Sequence, residues 1–207
     1  MTDGLRLFAT PWWVNLLILV PLLSFYFWRR TGVALGRSAL AAAGLFGIAF
    51  EFVEAAVVVY LHTAIGLPTG NDGMLEYAPP LKGLPHNLLV IEMFREAATI
   101  AMLASLALLG ARRARERRAM FLYTFAIWDL AYYAGLWATV RWPPSLLADD
   151  ILFLIPVPWV SDMWYPVLVS GLTILAVVIA SGIAHRDRKV NAAALDIDTL
   201  GSRSLHA

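Results

Sequence analysis

The chain has 207 residues, 60% of them hydrophobic and only 15% charged, with a formal net charge of +1 and a mean hydropathy of +0.69. Soluble domains run near half apolar and about 25% charged, so this composition reads as a polytopic membrane protein, too short to carry a separate soluble domain. The absence of cysteine excludes disulfides, thiolate catalysis and thiolate metal sites, and leaves the redox compartment open.

A membrane-spanning helix needs about 20 mostly apolar residues. The first such stretch covers 11–28 and opens on Pro11 and Trp12-Trp13, an interfacial anchor. Arg6 before it resembles a signal-peptide start, but no small-residue cleavage site follows. The run ends in Trp28-Arg29-Arg30, which predicts a retained first span. Further spans are predicted at 38–62, 87–110, 119–140 and 163–184, the third stopped by Gly110.

The connections set the orientation. Arg29, Arg30 and Arg37, the run Arg112 to Arg118, and Arg186, Arg188, Lys189 and Arg203 put twelve of the 16 basic residues on one side. Arg6, Lys82 and Arg141 fall on the other. The positive-inside rule then predicts the N-terminus outside and the C-terminus in the cytoplasm. The basic run between spans three and four reads as a topology determinant in contact with anionic lipid, and no nucleic-acid partner is expected.

The expected fold is therefore an all-α integral membrane protein. Five transmembrane helices pack as a bundle over 1–185, and a mobile cytoplasmic tail covers 186–207. The expected location is a cell membrane, multi-pass, of bacterial inner-membrane type. The outer connection 63–86 is rich in Gly and Pro and reads as a covering loop. The segment 141–162 is too apolar for an aqueous loop and too proline-rich for a whole span. It is expected as an interfacial or re-entrant piece before the last span, with a short helix opened near Pro143-Pro144 and closed by Pro156 and Pro158. Asp149 and Asp150 are expected at the outer surface in water, and Ser161 or Asp162 as the N-cap of the last helix.

Five carboxylates lie inside the predicted spans, Glu51, Glu54, Glu92, Glu96 and Asp129, against a single base, Arg95. An acid in hydrocarbon costs at least roughly 2.5 kcal/mol, so each must be protonated, paired, hydrated or bound to a cation. At 3.6 residues per turn, Glu51 and Glu54 share a face of span two with His62. Glu92, Arg95, Glu96 and Thr99 share a face of span three, and Asp129, Tyr132 and Tyr133 a face of span four. At about 1.5 Å per residue, the acids fall in one slab roughly 7–17 Å below the outer end. His62 and His86 come near that end. One reading is helix glue, with Arg95 paired to Glu51 or Asp129 and the tyrosines bonded to the other acids. The other is a shared site of Glu51, Glu54, Glu92, Arg95, Glu96, Asp129, Tyr132 and Tyr133.

Three chemistries suit such a site. Glu51, Glu54, Glu92, Glu96, Asp129 and His62 form a candidate metal-ligand set. It lacks the Glu-x-x-His pairs of di-iron bundles, and its oxygen-rich donors suit a hard divalent metal such as Mg²⁺, Mn²⁺ or Ca²⁺. Intramembrane acids also mark proton and cation paths, although no acid lies deep on the cytoplasmic side of spans two to four. Paired carboxylates beside Phe50, Phe52, Trp128 and Trp137 suit acid/base work on a lipid-like or quinone-like substrate. A helix with a histidine, paired glutamates and a later aromatic-rich helix resembles the sterol isomerase and sigma-2 receptor group in pattern. The residue order departs from that group, so the resemblance assigns no residue a role. A retinal Schiff base is excluded because Lys82 and Lys189 both lie in connections. The expected partners are the bilayer, a small hydrophobic ligand, and a homo-oligomer or larger membrane complex. A structural subunit of such a complex is the remaining alternative.

Overall fold

Helix is the only structure that satisfies its own backbone along a continuous apolar stretch, and the described residues form five α-helices. The computed structural model describes residues 8–64 and 86–204. Its order is a 3₁₀ segment Trp12–Ile18, then α1 (Leu19–Trp28), α2 (Arg37–Ala64), α3 (His86–Gly110), α4 (Ala114–Val140), β1 (Asp149–Phe153), β2 (Trp159–Asp162) and α5 (Trp164–Ser204). All five stretches expected to be helical are helical. The connection 63–86 lies almost wholly outside the described residues.

Among the described residues two helices are long and apolar enough to cross a membrane, α2 over Arg37–Leu61 and α5 over Trp164–Asp187. A third of the most apolar window of each is buried within the protein, and apolar side chains such as Leu45, Phe52, Leu175 and Val178 are exposed. The first apolar run is shorter, Trp12–Trp28, and begins as 3₁₀. There Asn15 Nδ2 donates to the carbonyls of Ala9 (2.9 Å) and Trp12 (2.8 Å), and the Ala9 N–H donates to Asn15 Oδ1 at 2.8 Å. This side chain ties down the entry of the chain and competes with the regular helical ladder. The α5 helix continues to Ser204, through the stretch read from sequence as a tail.

The α4 helix is the hub: α2, α3 and α5 all pack on it, and α1 packs on α5. At the arginine-rich end, Trp28, Val33, Ala107, Met120 and Val177 share one apolar core. At the other end, Ala55, Tyr133, Leu136, Trp142 and Met163 form a second. The α1–α2 connection is pressed onto α5 at Gly32, whose φ is +61°. A Cβ there would lie 2.7 Å from the Ala184 backbone nitrogen, so only glycine fits. The α4 helix stops at Arg141, a left-handed residue (φ 57°) whose N–H donates to Trp137 O at 3.2 Å.

The short helix expected in 141–162 is replaced by an antiparallel hairpin. Asp149 pairs with Asp162, Asp150 with Ser161, Ile151 with Val160 and Phe153 with Trp159. Pro156 and Pro158 remove two backbone donors and occupy the connection, while the flanking Ile, Phe, Val and Trp favour a pleated surface. Thr10 adds to the far edge, exchanging backbone bonds of 2.8 and 2.7 Å with Val160. The cap assignment for Asp162 is corrected too: it ends β2, and α5 starts at Trp164.

Candidate functional site: a polar chamber behind an apolar cleft

A lone base among acids takes the partners that its helix face and reach allow. Arg95 on α3 pairs with Glu54 of α2 and, one turn away on its own helix, with Glu92. Its Nε donates to Glu92 Oε2 at 2.8 Å. The Thr99 hydroxyl donates to Glu54 Oε1 at 2.9 Å, so both oxygens of that carboxylate are engaged. The expected pairing of Arg95 with Glu51 or Asp129 is thereby corrected. Glu51 faces α4 instead, only 1% exposed, with Oε1 lacking a hydrogen-bond partner. Gly135 makes room for it, since a Cβ at that position would lie 3.0 Å from Glu51 Oε2.

The remaining acids reach other elements. Glu96 accepts the backbone N–H of Leu154 with both oxygens, at 2.8 and 3.0 Å, and so ties α3 to the hairpin. Asp129 on α4 accepts the Ser170 hydroxyl of α5 at 2.7 Å. Tyr133 donates to Asp150 Oδ2 at 2.8 Å. Asp150 is 3% exposed, which corrects the expectation that it faces water. The antiparallel register explains this: it turns Asp150 inward over α4. Tyr132 packs edge-on against Tyr133, with ring centroids 5.5 Å apart. His62 lies on α2 with its side chain outside the description, and His86 opens α3 as an exposed residue.

These groups enclose two adjoining spaces. The first is a polar chamber of about 70 Å³, bordered by Arg95, Thr99, Trp128, Tyr132 and Asp150 among others. It is large enough for a few water molecules. The second is an apolar cleft of about 510 Å³ between α1, α3, α4, α5 and the hairpin, with Val20, Ile100, Phe125, Phe153, Trp159 and Val169 in its walls. Phe153 stacks on Phe125 (5.9 Å, 14°) and helps roof it. That volume lies within the range of small-molecule sites. Glu96 and Asp129 border both spaces and are the two carboxylates of the cleft. They form the wall between water-sized polar space and a hydrophobic groove.

Of the residues singled out from sequence, Glu54, Arg95, Glu96, Asp129, Tyr132 and Tyr133 border the chamber. Glu92 joins through Arg95, and Glu51 stands apart behind Gly135. Sequence reasoning missed Ser170 and Asp150. The signal for Ser170 was a hydroxyl at a depth matching Asp129 in a largely apolar helix. No group of three or more His, Asp or Glu side chains able to hold a metal ion occurs among the described residues, and the His62 side chain lies outside them. Glu54 and Glu92 share Arg95, Glu96 accepts from Leu154 N–H, and Asp129 accepts from Ser170. Comparison with family models, curated proteins and solved structures yields no match.

Proposed function

We propose that this chain is a five-span membrane protein, N-terminus outside, that binds a lipid-like or quinone-like molecule in the cleft. The polar end of the ligand lies against Glu96 and Asp129. One observation carries this reading: the same two carboxylates border an apolar groove of ligand size and a small polar chamber. The groove receives the apolar body of the ligand through packing contacts. The two acids orient its polar group, as the few polar groups of a hydrophobic site do.

The acids have different roles in this reading. Both oxygens of Glu96 are held by the Leu154 N–H, so it shapes the wall and holds the hairpin roof. Asp129 has one oxygen on Ser170 and presents the other to the ligand. It is the group placed to exchange a proton with the polar end of the ligand, with chamber water as the second partner. Acid/base chemistry on that ligand and simple binding differ only in whether the proton moves.

The test is extraction and mass spectrometry of small molecules retained by the protein purified in mild detergent. Ala97 is exposed at the α3 side of the cleft, so Ala97→Trp narrows the groove without entering the core. The reading expects a discrete apolar species in the wild type and its loss in Ala97→Trp at unchanged helicity. Equal retention in both would refute it. Asp129→Asn separates binding from proton transfer: retained ligand with lost turnover marks an enzyme, and unchanged behaviour marks a binding site.

A further inference from the structure

The opposite end of the fold holds a second cavity, of contrary charge. It measures about 730 Å³ and lies between the start of α2 and the arginine-rich half of α5. Arg37, Ser38, His185 and Arg186 supply its polar lining, while Leu40 and Val178 supply apolar wall. No acid is among its described lining residues.

Three features converge on an anion. The α2 helix begins at Arg37, directly after Gly36, whose carbonyl accepts the Leu40 N–H at 3.0 Å. Glycine has no side chain to cap the first turn, so the first N–H groups of a 28-residue helix point out of its positive end. Two guanidinium groups stand at the same place. The third feature is independent of both. Ser181 borders the cavity, is only 6% exposed, and its Oγ has no hydrogen-bond partner. A buried hydroxyl left unpaired is costly, and a ligand oxygen at this site would satisfy it. Gly182, also in the lining, has no atom within 4 Å of where a Cβ would stand, so the space beside Ser181 is open.

We infer that this cavity binds the phosphate of an anionic phospholipid headgroup. Arg37 and Arg186 take the phosphate charge, the α2 N-terminus donates to it, and Ser181 donates from the buried side. Leu40 and Val178 receive the first methylenes of the acyl chains. A free phosphate offers no apolar part for those walls and fills little of the volume. The site is on the predicted cytoplasmic side, where anionic lipid meets juxtamembrane arginines. The inference rests on the membrane reading, which carbonate extraction of membranes tests separately, and is independent of the cleft.

Native mass spectrometry of the full chain, exchanged into defined lipid mixtures, decides it. The wild type is expected to retain phosphatidylglycerol or cardiolipin over phosphatidylcholine. The pair Arg37→Gln with Arg186→Gln is expected to lower that retention about tenfold to thirtyfold, taking about 1 kcal/mol for each charge. Ser181→Ala, which removes only one hydroxyl, is expected to lower it several-fold. The pair Arg112→Gln with Arg118→Gln, an equal charge loss at exposed positions outside this cavity, is expected to lower it far less, because those arginines meet lipid only at the surface. Equal retention of zwitterionic lipid, equal loss in the control pair, or displacement of bound lipid by millimolar inorganic phosphate would each overturn the assignment.

Discussion

Both oxygens of Glu96 accept the single backbone N–H of Leu154, at 2.8 and 3.0 Å. This contact joins residues 58 positions apart and holds the hairpin over the cleft from the α3 side. One acid thereby shapes two things: the wall of the polar chamber and the roof of the apolar groove.

Removing that acceptor should free the hairpin. Glu96→Ala is expected to cost about 1.5–3 kcal/mol, the range for a hydrogen bond to a charged group. The loss of amide protection should centre on Leu154 and its neighbours. Hydrogen exchange read by mass spectrometry checks this; unchanged exchange over 149–162 would mean that the hairpin stands without α3.

Arg95 is the shared counterion of Glu54 and Glu92. Arg95→Met leaves the largely buried Glu54 with Thr99 alone. Breaking a fully buried pair costs about 3–5 kcal/mol. With Arg95 partly exposed, about 2 kcal/mol is expected here. Glu54→Gln added to Arg95→Met should recover part of the loss. Unfolding of the two single variants and the double variant in detergent gives the coupling, and strict additivity would disprove the pairing.

Glu51 offers the opposite sign. Its Oε1 is buried without a partner against α4, so replacing it with an apolar side chain of similar length removes an uncompensated cost. Glu51→Met is expected to stabilise the protein by about 1–2 kcal/mol while leaving retention of the apolar ligand intact. A fall in thermal stability would show that Glu51 has a bonding role in the fold.

Gly32 combines a left-handed backbone with a close approach to the backbone of α5. Gly32→Ala meets both a left-handed backbone and the Ala184 nitrogen at 2.7 Å. The backbone conformation alone costs about 1–3 kcal/mol. Loss of folded yield, measured by size-exclusion of detergent extracts, is the expected outcome. Ala34→Gly, two residues on, serves as the mild comparison.

Much of the helical layout was legible because helices are local. The 3.6-residue period places Glu92, Arg95, Glu96 and Thr99 on one face whatever the rest of the chain does. The start of α3 and its end at Gly110 follow from apolar runs and glycine. The hairpin was not legible. Short apolar runs between prolines suit a strand or a helical turn alike, and only the pairing of Asp150 with Ser161 and of Ile151 with Val160 decides.

From the sequence alone came the apolar character of the chain, its five helical stretches, and an excess of acids over bases on three of those helices. Which acid meets which partner was decided only in three dimensions. The rotation of each helix about its axis is set by packing on α4, and a long side chain such as that of Arg95 can reach more than one neighbour. That rotation sends Glu54 to Arg95, Glu51 to Gly135 and Asp129 to Ser170. It also opens the cleft that Glu96 and Asp129 border. Local periodicity encodes a face; only the packed neighbours determine what that face touches.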